Sequence, residues 1–148
     1  MSTRGSLEEF LQDIEPFFYG KSLTYVDVGA YVGKVFRKVA QSGLKIREAH
    51  LIEPNPSSLR ALRENVEERR PSSCALSIYH LALAAEPGVV SLRAAESMTQ
   101  VVASDASGAS DVSNLFEVEC KTLDQLSVMS PVVRHKWPTP AAHFHGLD

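Results

Sequence analysis

Apolar residues recur at helical spacing in three segments of the chain, and each segment predicts an amphipathic helix. The first helix begins after Ser6, which stands three residues before Glu9 in the spacing of a capping box, and it ends at Pro16 and Gly20. The second ends at Gly43, and the third lies within SSLRALRENVEERR. The residues predicted to face inward are Leu7, Phe10, Leu11 and Ile14 in the first helix, Val32, Val35, Phe36 and Val39 in the second, and Leu59, Leu62 and Val66 in the third.

Apolar runs without alternation stand between these helices and predict strands that are buried on both faces. LTYVDVG precedes the second helix, EAHLIEPN precedes the third, and LSIYHLALAA follows it. After the turn EPG, VVSLRAA predicts a fourth extended segment, and residues 116–120 predict a last strand before a helix that begins at Thr122 or Leu123. Strands and helices that alternate in this way indicate the α/β class, with a mainly parallel sheet and flanking helices.

The chain of 148 residues is long enough for one domain, and its hydrophobic fraction of 44% is enough to bury a core. We predict that this domain covers residues 1–126. Residues 127–148 contain three of the eight prolines and three of the five histidines without a helix or strand period, and they predict an irregular tail. His143 and His145 form an HxH pair, but prolines separate them from His135, so no metal site is predicted.

Composition argues against several classes of protein. The formal net charge is −3 and no basic stripe is present, so a nucleic-acid-binding protein is not expected. No apolar run reaches the roughly 20 residues of a membrane span. Acidic residues interrupt the apolar N-terminal segment, which is unlike a secretory signal. Cys74 and Cys120 form no CxxC motif and stand in apolar surroundings, which predicts buried thiols in a cytoplasmic protein.

Two acidic residues and two glycines mark the ends of the first two predicted strands. Asp27 and Glu53 end these strands, and Gly29 and Gly33 lie in the turn between the first strand and the second helix. Ligands of open parallel sheets bind outside the carboxyl ends of the strands, and glycine lets the backbone approach a ligand closely, so we predict a binding site here. Taken singly, each acid has an alternative role: Asp27 as a helix cap or a buried structural acid, and Glu53 as a solvated strand end.

The spacing of these residues distinguishes between two nucleoside ligands. A dinucleotide-binding turn reads GxGxxG, but DVGAYVG has Asp27 where the first glycine would stand, and a carboxylate repels a pyrophosphate. A carboxylate there suits a ligand with an ammonium group, and Glu53 can accept hydrogen bonds from both hydroxyls of an unphosphorylated ribose. S-adenosylmethionine has both groups and a sulfonium cation, so it is the predicted cofactor. NAD is the less favoured alternative.

Four blocks of the sequence resemble, in the same order, the blocks of FkbM-type S-adenosylmethionine-dependent methyltransferases. These blocks are YVDVGAYVG, LIEPNPSSLRALRENV, HLALAAEPGVVSLRAA and VECKTLDQL, and they extend over residues 25–126. The resemblance implies a class I methyltransferase fold, which is a Rossmann-like sheet with helices on both faces. It also implies methyl transfer to a hydroxyl group of a sugar, a lipid or another natural product.

The resemblance further implies which residues bind the cofactor. The loop around the methionine part of the cofactor would be formed by Asp27, Gly29, Ala30, Tyr31 and Gly33. Glu53 would hold the ribose, with Pro54 and Asn55 beside it. The adenine would lie against Ala82 and Leu83. Because LALAA contains no acid, we expect backbone and packing contacts to the adenine. Tyr31 would cover the cofactor, and its alternative role is that of an ordinary aromatic residue in the first helical turn.

The resemblance stops at residue 126. The family continues there with a strand, a Lys-Asp-Glu-Gly-type block and further strands that carry part of the acceptor site, whereas this chain continues with SVMSPVVRHKWPTPAAHFHGLD. We therefore expect a cofactor-binding portion without the last strands of the sheet, whether through truncation, a frameshift or an alternative product. The sheet surface left uncovered favours association with a second copy of the chain or with a partner subunit.

The sequence assigns no catalytic base. His80 lies within the predicted third strand, as a packed or hydrogen-bonded histidine would, and Glu96 and Asp105 stand near loops without a visible partner. Two hypotheses of different class follow. One is an O-methyltransferase, and the other is a catalytically incomplete chain that binds the cofactor or a partner without turnover.

Overall fold

The computed structural model describes residues 5–94, 99–101 and 114–126. Within these residues, no helix is long and apolar enough to cross a membrane. The elements in chain order are helix α1 (Leu7–Ile14), a 3₁₀ turn (Glu15–Phe18), strand β1 (Ser22–Val28), α2 (Lys34–Gln41), β2 (Lys45–Ile52), α3 (Pro56–Glu67), β3 (Ala75–Tyr79), β4 (Ala82–Leu83), β5 (Gly88–Ala94), β6 (Thr99–Val101), β7 (Leu115–Lys121) and a second 3₁₀ turn (Leu123–Leu126).

The first three strands form a parallel sheet in the order β1-β2-β3. Val28 is level with Ile52, and Ile52 is level with Tyr79, so the carboxyl ends of all three strands meet at one edge of the sheet. The predicted α/β class with a parallel sheet and flanking helices is therefore confirmed. The arrangement is compatible with a Rossmann-like fold.

The remaining strands form a second sheet in the order β4-β7-β5-β6. Strands β4 and β7 are parallel, whereas β5 is antiparallel to both β7 and β6. The sequence predicted one mainly parallel sheet, so this mixed sheet is a correction. The reason is the short connection between β4 and β5, which reverses the direction of the chain, so β5 runs antiparallel to β7, the strand that lies between them.

Local side-chain contacts fix the starts of α1 and α3. Ser6 Oγ accepts a hydrogen bond from Glu9 N at 3.2 Å, and Glu9 Oε2 accepts one from Ser6 N at 2.7 Å, which completes the predicted capping box. At α3, Asn55 Oδ1 accepts hydrogen bonds from the backbone N–H groups of Ser57 and Ser58. Proline at the first position of α3 has no N–H that would remain unpaired.

The main core lies between the parallel sheet and the helices. Leu11 of α1, Phe36 of α2 and Leu62 of α3 belong to one buried cluster with Ala49 and Leu51 of β2. All three described helices thus contribute to the same core, whereas the resemblance implied helices on both faces of the sheet. A smaller cluster, formed by Ile52, Leu81 and Leu126, includes the last 3₁₀ turn.

Three predicted elements differ from the structure. The predicted third strand is broken at His80 and Leu81, so β3 and β4 belong to different sheets. The predicted helix at Thr122 or Leu123 is a single 3₁₀ turn within the described residues. Helix α2 begins only at Lys34, because Gly33 has the left-handed φ of 80° that ends the preceding loop. The predicted tail at residues 127–148 lies outside the described residues.

Candidate functional site

A cavity of about 380 Å³ lies at the carboxyl ends of β1 and β2. Its other walls come from β4, β5 and β6, so it lies between the two sheets. Seven of the ten predicted cofactor-binding residues line it: Gly29, Tyr31, Glu53, Pro54, Asn55, Ala82 and Leu83. The structure thus brings together residues that are up to 54 positions apart in the sequence (29 to 83).

Glu53 is the most constrained of these residues. It is only 4% exposed, yet it is one of the residues that line the cavity. Its Oε2 accepts a hydrogen bond from Tyr31 N at 2.7 Å, and its Oε1 accepts one from Asn55 N at 2.8 Å. Its own N–H donates to the carbonyl of Tyr79 at 3.0 Å. Burial of this acid is therefore compensated by hydrogen bonds, and it joins the turns that follow β1 and β2.

The turn after β1 is held against the end of β2 by backbone groups as well. Gly29 N and Ala30 N both donate to the carbonyl of Ile52, at 2.9 and 3.0 Å. Tyr31, the next residue, has a φ of 53° and is the only non-glycine residue with positive φ in the described part of the chain. Left-handed backbone at a tyrosine is unfavourable, and such residues concentrate at functional sites.

The two glycines of the turn have different surroundings. Both have left-handed φ values, 76° for Gly29 and 80° for Gly33. A β-carbon on Gly29 would meet no atom within 4 Å, whereas one on Gly33 would lie 2.8 Å from Val66 Cγ1 and 2.9 Å from Leu62 Cδ1. Gly29 therefore leaves open space beside the cavity, and Gly33 allows the turn to pack closely on α3.

Asp27, Ala30 and Gly33 do not line the cavity. Asp27 Oδ2 instead accepts a hydrogen bond from Tyr25 Oη at 3.0 Å, and the Tyr25 ring lies 5.8 Å from that of Phe36 in α2. Burial raises the pKa of the Asp27 carboxyl, and the hydrogen bond from Tyr25 partly offsets this rise. Asp27 does not cap α2 either, because Gly33 occupies the N-cap position.

The break between β3 and β4 forms part of the cavity wall. Ala82 and Leu83, predicted at the end of the third strand, lie in β4 and pair with Cys120 and Lys121 of β7. His80 lies in the break and is exposed, and its Nε2 is 3.0 Å from the carbonyl oxygen of Pro54. His80 is thus a hydrogen-bonded histidine, which is one of the two roles predicted for it, and its partner Pro54 lines the cavity.

Half of the cavity lining was not predicted from the sequence. These residues are mainly apolar and are Val28, Ile52, Ser58, Leu81, Leu92, Thr99 and Val101. Val28 and Ile52 could have been found, since they end the same strands as the predicted residues. Leu92, Thr99 and Val101 could not, because only the second sheet brings β5 and β6 to this place.

A buried polar cluster that the sequence did not reveal lies behind the cavity, on β2 and β3. His50 is buried, its Nδ1 is 3.0 Å from Tyr79 Oη, and the two rings are stacked. His50 Nε2 is 3.2 Å from Glu48 Oε1, a distance typical of an ion pair, but the two groups are not aligned as a hydrogen bond. The Tyr79 side chain also packs against the small core cluster of Ile52, Leu81 and Leu126, and two of these residues, Ile52 and Leu81, line the cavity.

The electrostatic character of the cavity follows from its lining. Among the described residues that line it, Glu53 is the only one with a formal charge. Its other polar groups are the amide of Asn55 and the hydroxyls of Tyr31, Ser58 and Thr99. A ligand for this cavity therefore combines apolar surface with hydrogen-bond donors for Glu53, and a positive charge is favoured over a negative one.

The two cysteines have the predicted environment, since Cys74 and Cys120 are both buried and unpaired. The metal alternative for His135, His143 and His145 lies outside the described residues, as do Glu96 and Asp105. No family model, curated protein or solved structure matches this chain.

Proposed function

We propose that this chain is an S-adenosylmethionine-dependent methyltransferase of the FkbM type that methylates a hydroxyl group of a sugar, a lipid or another natural product. The observation that carries this proposal is the buried carboxylate of Glu53 in a cavity at the strand ends, beside a turn with left-handed glycines. A class I methyltransferase fold would explain why the cavity lies at that edge of a parallel sheet.

The hydrogen bonds of Glu53 support a ribose ligand. Each carboxylate oxygen already accepts one backbone hydrogen bond, from Tyr31 N or Asn55 N, and retains a further lone pair. Two adjacent hydroxyls of a ribose can donate to these lone pairs without displacing the backbone groups. The acid would therefore bind the ligand and hold the surrounding turns in the same position.

The charge of the cavity supports S-adenosylmethionine over a dinucleotide. Within the described residues, no lysine, arginine or histidine lines the cavity, so a pyrophosphate would meet Glu53 without a compensating cation. A sulfonium and an ammonium group are compatible with the same surroundings. The apolar side chains of β4 and β5 would cover the flat adenine ring.

The residues of this chain would contribute binding and orientation. Bound S-adenosylmethionine supplies an activated methyl group, and in-line transfer requires that the acceptor oxygen is held opposite the departing sulfur. Apolar residues such as Ile52 and Leu92 would exclude water from this path. A neutral hydroxyl compound is compatible with this lining as the acceptor, since it meets no repulsion from Glu53.

One observation favours a second candidate function, which is binding of the cofactor without turnover. Among the described residues that line the cavity, Glu53 is the only acid and no histidine is present, and both oxygens of Glu53 already hold backbone N–H groups. The described lining therefore provides neither a histidine nor a second carboxylate as general base for an acceptor hydroxyl.

A turnover assay tests the proposal and separates the two candidates. The chain is incubated with S-adenosylmethionine and a panel of sugars, lipids and polyols, and formation of S-adenosylhomocysteine and methylated product is measured by mass spectrometry. Acceptor-dependent product formation would support the methyltransferase. Binding of S-adenosylhomocysteine without any turnover would support the second candidate, and neither binding nor turnover by the folded chain would refute both.

Two substitutions provide the controls. Glu53→Gln places an amide NH₂ against one of two backbone N–H donors, so we expect at least tenfold loss of cofactor affinity, which corresponds to about 1.4 kcal/mol. Glu64→Gln removes the same charge from an exposed position of α3 and is expected to bind as the wild type does. Equal affinity of the two variants would contradict the role of Glu53.

A further inference from the structure

Tyr31 holds an unfavourable backbone conformation at a position where the chain could have used glycine. Its neighbours Gly29 and Gly33 have similar left-handed φ values without a steric penalty. Tyr31 lines the cavity, is 44% exposed and belongs to neither of the two core clusters. Its side chain therefore does not stabilise the core, and a ring at this position serves the cavity.

The conformation of Tyr31 is maintained from outside its own turn. Glu53 Oε2, buried in the fold, accepts a hydrogen bond from Tyr31 N at 2.7 Å, which is short for a backbone N–H donor and typical of a charge-assisted bond. The Glu53 carboxylate is itself fixed by Asn55 N, 2.8 Å from Oε1. One hydrogen bond thus links the acid at the end of β2 to the placement of the aromatic residue.

The combination of an aromatic ring and one carboxylate is a recognised way to bind an organic cation. The face of a tyrosine ring attracts a positive charge within about 6 Å of its centre, and a nearby carboxylate adds to this attraction. In the described lining, no positively charged side chain competes with a cationic ligand for these two groups.

We propose that Tyr31 is a specificity-determining residue that recognises the positive charge of a bound sulfonium ligand through its ring, and that Glu53 is the positioning residue that holds this ring at the cavity. This inference rests on the proposed function, because it requires that S-adenosylmethionine binds in this cavity. It assigns Glu53 a second role beyond any contact with the ligand.

Selectivity between the cationic and the neutral form of the cofactor tests the role of the ring. S-adenosylmethionine carries the sulfonium charge and S-adenosylhomocysteine does not, so the ratio of their dissociation constants reports recognition of the charge. We expect Tyr31→Phe to retain the ratio of the wild type. Tyr31→Asn, which has no ring but tolerates left-handed backbone, is expected to shift the ratio about 3- to 10-fold towards S-adenosylhomocysteine.

A surface aromatic residue provides the matched control for this measurement. Phe17→Leu removes a ring that is 75% exposed in the 3₁₀ turn after α1, away from the cavity, and is expected to leave both dissociation constants unchanged. An unchanged ratio in Tyr31→Asn, with both ligands bound, would overturn the role of the ring.

A second measurement without ligand tests the positioning role of Glu53 and remains informative if no cofactor binds. Glu53→Gln is expected to lower the urea midpoint of unfolding by more in Tyr31→Asn than in the wild-type background. The backbone N–H of residue 31 loses its acceptor in both backgrounds, but only the left-handed tyrosine has strain to release when the turn relaxes. Equal decreases in the two backgrounds would overturn the link between Glu53 and Tyr31. If neither ligand binds but the two decreases in urea midpoint differ, the proposed function and the recognition of charge by Tyr31 are refuted. The link between Glu53 and Tyr31 then still holds.

Discussion

Substitution of Gly33 by alanine tests the close packing that shapes the cavity turn. The new β-carbon would lie 2.8 Å from Val66 Cγ1 and 2.9 Å from Leu62 Cδ1, and both contacted residues are buried in the core. A left-handed φ of 80° costs an alanine about 1–2 kcal/mol, and overpacking a core costs about 1–3 kcal/mol. We therefore expect Gly33→Ala to lose about 2–5 kcal/mol of unfolding free energy.

The assay is urea unfolding followed by circular dichroism, and Gly20→Ala is the matched control. Gly20 has a similar φ of 73°, but a β-carbon there would meet no atom within 4 Å. The control should therefore show only the backbone penalty of about 1–2 kcal/mol. If Gly33→Ala is no less stable than Gly20→Ala, the close approach of the turn to α3 does not limit the residue at position 33.

Three further predictions concern stability. Ser6→Ala removes the acceptor for Glu9 N and should lose about 1 kcal/mol in urea unfolding, and an unchanged midpoint would contradict the capping box. Leu62→Ala, at a fully buried site, should lose about 2–5 kcal/mol, and a loss below this range would mean that α3 is not packed as described. Burial raises the pKa of the Asp27 carboxyl in the folded state. Between its ordinary pKa and this raised pKa, the folded state binds more protons than the unfolded state, so the free energy of unfolding falls as the pH rises through this range. Asp27→Asn, which can still accept the hydrogen bond from Tyr25, should exceed the wild type in unfolding free energy at about pH 7 and lose this advantage near pH 3; an advantage independent of pH would contradict this account.

The parts of the fold that depend on local contacts were predictable from the sequence. The capping box of α1 involves residues three positions apart, and the inward face of α3 follows from helical spacing. The strands β1 and β2 were recognised because each contains a short segment rich in apolar residues, LTYVDV or AHLI, between two helical patterns. The alternation of these elements then determined the α/β class.

The second sheet depends on contacts between distant residues and was not predictable in the same way. LSIYHLALAA is a continuous apolar run, and nothing local marks the break at His80. The break arises because Ala82 pairs with Cys120, 38 positions further along the chain. Strand β6 has only three residues, too few for a period to be detected.

The candidate site was predicted in its position but not in its internal contacts. Glu53 was found because it ends a buried strand, yet its hydrogen bond to Tyr31 N spans 22 positions and depends on the fold. The orientation of Asp27 could have been predicted, since strand alternation places Asp27 on the face of Tyr25 and Val28 on the opposite face. Val28, and not Asp27, lines the cavity.

Calorimetric titration with S-adenosylhomocysteine measures whether the cavity at the strand ends is a formed cofactor site. The 148-residue chain, shown to be folded by circular dichroism, is titrated alone, in the presence of NAD, and as the Glu53→Gln and Glu64→Gln variants. We predict micromolar binding that NAD does not displace, that Glu53→Gln weakens at least tenfold and that Glu64→Gln leaves unchanged. Absence of binding to the folded chain, or displacement by NAD, would contradict the account.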